Sequence, residues 1–287
     1  ISLGYSSKIA NVGKIRNQGV ELMIPVSIIR NDKFTFDANI NLAKNKSKIE
    51  VLDPEVSRYE FGALNNGVSV VAIEGDPFGE IYGYGYKRDS NGNKIIGADG
   101  LPVKTDSQQV LGKIQPDFTG SLGLNLNYKG IFLASLISFQ KGGDIYSLTE
   151  SMAAYAGTAA TTLERSDRVV AGVTENGSAN TQSISAQNYW QNGTQPEEYI
   201  YDASYIKLKE LALGYDLPKP LLNYIPFNAV HSLKVSLVGS NLLYLLKHTP
   251  GTTPDGSAMS SNVYSQAIDF APVPNTRTFG FTVNVGF

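Results

Sequence analysis

There is no cysteine among the 287 residues, which excludes a disulfide framework, thiol catalysis and thiolate metal sites. Histidine is nearly as scarce. His231 and His248 stand far apart without a carboxylate at ligand spacing, so they read as loop or strand-end residues and no metal site is expected. No stretch approaches the roughly 18 uncharged apolar residues of a membrane-spanning helix. No basic segment leads into an apolar run at the start, so no secretory leader is legible. Charge is sparse too: 17% of residues are charged, against roughly 25% in an ordinary soluble domain. With a formal net charge of −2, the chain is no candidate for a nucleic-acid partner held by phosphate neutralisation. These absences dispose of a helical membrane protein. They leave a β-barrel untouched, because its strands span with only about 9–11 residues of alternating character.

What the sequence does have is period two. Its 28 glycines and 16 tyrosines suit short turns and aromatic surfaces on strands. "VELMIPVSI" sets Val20, Leu22, Ile24, Val26 and Ile28 on one face. After the polar turn Arg30–Lys33, "FTFDANINL" sets Phe34, Phe36, Ala38, Ile40 and Leu42 against Thr35, Asp37, Asn39 and Asn41. "FTGSLGLNLNY" repeats the design with Phe118, Leu122, Leu124, Leu126 and Tyr128, and Lys129-Gly130 turns the chain into "IFLASLISF". Further strands are expected over Tyr205–Tyr215, Ser232–Leu243 and Thr276–Phe287, with "ISLGYSS" at the start as a weaker eighth. The closing "RTFGFTVNVGF" alternates Phe279, Phe281, Val283, Val285 and Phe287 with small or polar residues up to the last position.

The links between these strands alternate in length. Short ones lie at Arg30–Lys33, at Lys129–Gly130 and, more moderately, at Leu217–His231; long ones run from about Lys48 to Gln115, from Phe139 to Asp202 and from Leu243 onward. Compact soluble sandwiches seldom carry such long loops, whereas outer-membrane barrels combine short periplasmic turns with long outer loops. With the C-terminus taken as periplasmic, every long link falls outside and every short one inside. In lipid every backbone group must pair within the protein, so spanning strands belong to a closed barrel. One face then meets acyl chains, and the Asn, Thr, Ser and Gly face lines a wet interior. Eight strands alone make a narrow barrel filled by its own side chains, and inward residues as small as Gly123, Gly280 and Gly286 would not fill it. The expectation is an all-β, transmembrane antiparallel β-barrel portion with long extracellular loops, an arc of something wider.

Several stretches carry a family resemblance. "NVGKIRNQGVEL", Asn11 to Leu22, resembles the strand-entry signature of TonB-dependent outer-membrane receptors. "YDASYIKLKELALGYDLP" (Tyr201 to Pro218), "GSNLLYL" (Gly239 to Leu245) and "PVPNTRTFGFTVNVGF" (Pro272 to Phe287) resemble stretches of the SusC/RagA family, and "GDPFGEIYGYGY" through "DSNGNKIIGADGLP" to "DFTGSLGLNLNYKG" is similar to its long outer-loop region. The resemblance implies that residues 1–287 are the C-terminal part of a TonB-dependent receptor barrel, the last eight or so of about 22 strands. The plug and the TonB-contacting segment have no counterpart in it. It further implies import of large nutrients, oligosaccharides or peptides, in a Gram-negative outer membrane of the Bacteroidetes. A SusD-like surface lipoprotein would act as lid, TonB–ExbB–ExbD would supply energy through the plug, outer-membrane lipid would surround the wall, and no cofactor is called for. Phe279, Phe281 and Phe287 become candidates for recognition by the barrel assembly machinery and for barrel closure, beside the plainer role of lipid-facing aromatics.

Candidate ligand or lid contacts come from aromatics in the outer links. "QNYWQNGTQPEEYIY" holds the single tryptophan, Trp190, with Tyr189, Tyr199 and Tyr201; Tyr155, Tyr264 and Phe270 are weaker members. Aromatic faces beside amides suit a sugar or peptide, and the alternative is that they pack the loops together or form an aromatic girdle. "RDSNGNKIIGADG" tempts towards calcium, but Gly92 and Gly100 fall at the wrong positions of an EF-hand loop, and Asn91-Gly92 reads as a hairpin turn. The acids between Ile145 and Asp202 read as solvated surface. Glu197-Glu198, neighbours in an extended chain, are expected to point apart, and no nucleophile–base set is visible, so no enzyme is expected. The rival functions are a non-transporting structural or assembly component on the same barrel and, more remotely, a soluble β-rich binding domain.

Overall fold

The computed structural model of the chain describes residues 13–63, 67–222, 230–255 and 267–287. Its frame is one seven-stranded antiparallel sheet in which each strand pairs with the next one along the chain: β1 Gly13–Arg30, β2 Phe34–Leu52, β3 Phe118–Tyr128, β4 Ile131–Lys141, β5 Tyr205–Asp216, β6 Ser232–Lys247 and β7 Thr278–Gly286. All seven internal strands expected from the periodicity are there. Five reach further than the alternation alone indicated: β1 begins at Gly13, and β2, β4, β5 and β6 continue to Leu52, Lys141, Asp216 and Lys247, whereas β7 is shorter than the expected Thr276–Phe287. The eighth candidate, "ISLGYSS", lies outside the described residues.

Register places the alternating residues in continuous rows. Ile29 pairs with Phe36, Phe36 with Leu126, then Leu133, Leu213, Leu237 and Phe281 follow across all seven strands. A neighbouring row runs Phe34, Tyr128, Ile131, Tyr215, Val235 and Val283, with Phe34 and Tyr128 edge to face at 6.3 Å. These side chains are left in the open: Leu213 is 51% exposed, Leu237 63% and Phe281 64%. A patch of that extent does not persist against water; it is a surface for lipid. From the Phe34 row to the Leu42 row the belt extends about 27 Å along the strand at ~3.4 Å per residue. Tilted as barrel strands are, this covers roughly 20–25 Å of height, the size of an outer-membrane apolar band.

The other face carries Asp37, Asn39 and Asn41 opposite Asn125, Gly123 and Ser121, and Asn41 Nδ2 donates to Ser121 Oγ at 3.1 Å. Phe132 is a large residue on the same face; it lies over Gly214, where a Cβ would meet its ring, and Lys234 Nζ sits 3.7 Å from its centroid.

The short links are built from turn chemistry. Lys129 and Gly130 both have positive φ, 50° and 89°, which is the two-residue hairpin whose twist matches flanking strands. Between β1 and β2, Asn31 Oδ1 accepts from the backbone N–H of Lys33 and Phe34 at 3.0 and 2.9 Å, so its side chain closes the turn.

The long links are not the plain loops their sequence suggested. All three start at the same end of the sheet, and they fold into a layer with its own core. Val68, Val70 and Ile81 from the first link, Tyr146, Ala154 and Tyr199 from the second, and Ala267 and Ile268 from the third form one buried cluster. A four-stranded sheet (Arg58–Ala63, Ser69–Ile73, Glu80–Gly83, Gln109–Lys113) and a three-stranded one (Ile200–Asp202, Asp144–Ser147, Ile268–Asp269) frame it. The layer is anchored on the polar face of β2: Ser47 Oγ donates to Gln115 Oε1 at 3.0 Å and accepts from Phe78 N at 3.2 Å. Ile49 and Leu52 pack with Ala72, Phe61 and Phe78.

Candidate functional site

The outer layer is held by a buried cap and a charged clamp. Ser147 ends the Asp144–Ser147 strand and begins helix α1, Leu148–Tyr155. Its hydroxyl accepts from Glu150 N at 3.0 Å and donates to Asp269 Oδ2 at 2.6 Å. It thus satisfies one free amide of the helix start and ties the second link to the third. Asp269 is fully buried and its Oδ1 has no partner.

The clamp lies where the first link meets the second. Pro196–Tyr199 is a turn of 3₁₀ helix, which corrects the extended geometry expected for Glu197-Glu198. Both carboxylates engage Tyr86, one at its backbone and one at its hydroxyl. Glu197 accepts from Tyr86 N at 2.7 Å and from the Arg88 guanidinium at 2.5 Å. Glu198 accepts from Tyr86 Oη at 2.9 Å and from Lys94 Nζ at 3.2 Å, while Lys94 also rests 3.6 Å from the Tyr86 ring centroid. Burial, then the charge of Glu198, push the Tyr86 hydroxyl far above the ordinary phenol range. Burial lifts Tyr199 to about 12, and burial lifts Tyr201 as well, with Glu150 nearby adding to it. These tyrosines are neutral hydrogen-bonding groups at any physiological pH. The expectation that the acids of this link are solvated fails for Glu150, which is buried, and for Glu197 and Glu198, which are paired.

Beside the clamp opens a cleft of about 420 Å³. One wall is the end of α1, with Tyr155 and Gly157; the other is α2, Ala186–Asn188, running into a π-helical turn at Tyr189–Gly193. Ser185 caps α2 by accepting from Asn188 N at 3.2 Å. Trp190, Gln187 and Gln191 face the cleft from this wall, and Arg165 lines it while donating to Gly157 O at 2.7 Å. Behind Trp190, the Arg168 guanidinium lies 5.5 Å from its ring and 5.3 Å from that of Tyr189. Trp190 Nε1 and Arg168 Nε are buried with no hydrogen-bond partner. A short π-helical turn is uncommon and recurs at functional sites. An aromatic wall, an exposed tyrosine at the rim, two amides and a guanidinium can stack on a flat apolar face and hydrogen-bond polar groups around it.

The aromatics picked out in the sequence are thus divided. Trp190 and Tyr155 share the cleft, and Tyr155 is 60% exposed. Tyr189 and Tyr199 are buried in the layer, and Tyr201 packs against its core. Phe270 is exposed on the third link, next to the start of α1, where Ala271 N donates to Thr149 Oγ1 at 2.6 Å, and it is not part of the cleft. Tyr264 lies outside the described residues. Phe279 and Phe281 stand on the lipid face of β7, and Phe287, one residue past its end, is exposed. Arg165, Gln187 and Gln191 were not foreseen. Only the fold of the second link brings them together, and the nearest signal in the sequence was the amide-rich "QNYWQN". The Asn91-Gly92 turn is as expected: Gly92 has φ 85°, and Asp89 Oδ1 accepts from Asn91 N and Asn93 N at 2.9 and 2.8 Å. Among the described residues no three His, Cys, Asp or Glu side chains are grouped as a metal site.

A second cavity, of about 570 Å³, lies beneath the layer against the polar face, between Asn17, Asn45 and Thr119 of the sheet and Phe78, Ile114 and Gln115 of the first link.

No protein-family model matches the chain. Individual relatives cover it from end to end. TonB-dependent receptor P3 of Formosa agariphila is 27% identical over 312 residues, taking in 99% of this chain and 30% of that protein. TonB-dependent receptors P26 and P39 of the same organism are 26% and 22% identical over the same 99% of this chain. Among solved structures, the RagAB peptide importer in its "closed-closed" state matches with a TM-score of 0.70 at 21% identity, over 99% of this chain and 31% of that one. Its "open-open" state gives 0.66 at 20% identity. The chain spans about 30% of the length of the curated relatives it matches. The resemblance read from the sequence holds, and the antiparallel sheet has the fold of the barrel portion of RagA-like TonB-dependent receptors.

Proposed function

We propose that this chain forms wall and outer-loop layer of a TonB-dependent outer-membrane importer of large nutrients, oligosaccharides or peptides. In this reading the chain is the C-terminal part of the barrel. The plug and the segment that engages TonB–ExbB–ExbD are contributed by sequence beyond it, and a SusD-like lipoprotein closes over the outer layer. The observation that carries the reading is the combination of an exposed apolar belt of membrane height with a folded, cored layer at the long-link end. A barrel needs the belt to sit in lipid. A passive structural wall has no need of a cored layer bearing an aromatic cleft, whereas a receptor does.

The cleft between α1 and the π-helical turn is assigned to ligand or lid contact, with Trp190 and Tyr155 as stacking faces and Arg165, Gln187 and Gln191 as polar contacts. Phe279, Phe281 and Phe287 are assigned to assembly and closure of the barrel. The test is growth and labelled-substrate uptake in a strain lacking the gene and complemented with wild type or with Trp190→Ala/Tyr155→Ala. The double variant is expected to reach the outer membrane at normal level and to lower uptake about tenfold at limiting substrate, the loss of one good stacking contact. Normal uptake of every glycan and peptide by the deletion strain, with a disturbed envelope, would overturn the importer.

A further inference from the structure

Above the apolar belt on the same outward face, the chemistry changes abruptly. Register pairs Leu22 with Leu42 as the last apolar row; the next rows are Val20 with Lys44, Gln18 with Lys46, and Arg16 with Lys48. Residues two apart on a strand share a face, so Arg16, Lys44, Lys46 and Lys48 all point the way Leu22 and Leu42 do, towards the surrounding membrane. Lys44 lies about 7 Å and Lys48 about 20 Å beyond Leu42 along the strand. All three lysines are exposed.

Their counter-charges are few. Glu50 is taken by Lys14 at 2.7 Å and lies 3.6 Å from Arg16. Glu74 accepts from Leu52 N at 3.0 Å. Asp117 feels Lys44 but is bound to Lys113 at 2.7 Å. Among the described residues no carboxylate comes within ion-pair distance of Lys44, Lys46 or Lys48. Arg16, Gln18, Lys46 and Lys48, with Glu50 and with Glu74-Gly75 of the first link, bound a groove of about 500 Å³, and Lys44 lies outside it on the belt side. Three unpaired cations on the lipid side of a wall repel one another and gain nothing from acyl chains. They gain a great deal from phosphate at the headgroup level.

We propose that Arg16, Lys44, Lys46 and Lys48 bind the phosphate groups of an anionic glycolipid of the outer leaflet, whose acyl chains lie along the Val20, Leu22, Leu42 and Ile40 belt beneath. The two parts of the site match the two parts of such a lipid, charge above and hydrocarbon below, at the spacing the register sets. A soluble polyanion would use the basic rows and leave the belt out; an acidic protein would need no acyl chain. The inference rests on the outward placement of the long links in the function proposed above.

The experiment is a native mass-spectrometry titration of the intact outer-membrane protein that carries this chain, delipidated in detergent. The probes are bisphosphorylated lipid A, the same lipid A after phosphatase treatment, and inorganic phosphate. Wild type is expected to retain the bisphosphorylated form at least about tenfold better than the dephosphorylated one, because lysines near a charged lipid surface favour the anionic headgroup. The variant Lys44→Gln/Lys46→Gln/Lys48→Gln is expected to lose that preference while keeping its heat-shifting band on semi-native gels, and Lys→Arg at all three positions is expected to keep it. Equal retention of both lipids by wild type overturns the proposal and needs no variant. An unchanged preference in the triple Gln variant overturns it too, as does full displacement of the lipid by millimolar inorganic phosphate. Selective lipid binding by a protein that imports nothing would uphold this inference and sink the importer; uptake with no lipid preference would do the reverse.

Discussion

Glu80 shows how one side chain can make the outer layer sensitive to pH. It is buried in the four-stranded sheet with Oε2 unpartnered, and burial, reinforced by the charge of Asp76, pushes its carboxyl up to about 7. The folded layer therefore holds this proton more tightly than the unfolded chain does. Its contribution is fully present below the ordinary carboxyl range and is lost as pH rises through about 7. Glu80→Gln is expected to change the stability of the layer little at pH 4 and to raise it at pH 8 by up to about 3 kcal/mol. Limited proteolysis across that pH range checks it, and an equal effect at both ends would contradict the assignment. Tyr86 is a second test. Tyr86→Phe removes the bond to Glu198 and one from Gln195 N, and should cost about 2 kcal/mol, seen as faster nicking between residues 84 and 108. Neither residue was legible as important: Glu80 acquires its burial only from the folded layer, and the partners of Tyr86 lie more than a hundred residues away. Trp190 was legible as the single tryptophan of the chain, and Tyr155 only as a weaker member of a large set of link aromatics; which of them turn inward is settled by packing, which leaves no local periodicity.

Strands were the readable elements, because a face that meets lipid and a face that meets water impose period two on every residue between them. Their turns were readable for the same reason: Lys129-Gly130 has few alternatives to a positive-φ pair. The "GSNLLYL" stretch was recognisable as a pattern without its cause. Asn241 has φ 54° and sits where β6 slips register against β5, between Ser240 and Leu243. It is a bulge at a residue type that tolerates the left-handed region. Asn241→Gly is expected to assemble normally and Asn241→Val poorly, by outer-membrane yield. On the two faces of the sheet the expectations also diverge. Leu237→Arg places a charge in the lipid belt and should cost about 2–4 kcal/mol in refolding titrations into bilayers. Gly280→Ser, with open space around its Cβ position on the polar face, should be neutral. The long links were unreadable at this level, since their strands of two to six residues are too short for any period and acquire their burial from two other links.

At the scale of the chain, the main sheet has tight β1–β2 and β3–β4 turns at one end and a cored layer at the other, and its orientation decides what both ends can do. The absence of cysteine makes each introduced thiol unique within the chain. Three positions report the three environments: Asn91→Cys at the tip of the layer, Leu237→Cys in the belt and Asp32→Cys in the β1–β2 turn. The most direct measurement is labelling of these variants in intact cells with a membrane-impermeant maleimide, repeated after permeabilising the outer membrane. Asn91→Cys is expected to label in intact cells, Asp32→Cys only after permeabilisation and Leu237→Cys in neither case. Labelling of Asp32→Cys but not Asn91→Cys in intact cells, or free labelling of Leu237→Cys, would contradict an outward-facing receptor layer on a membrane wall.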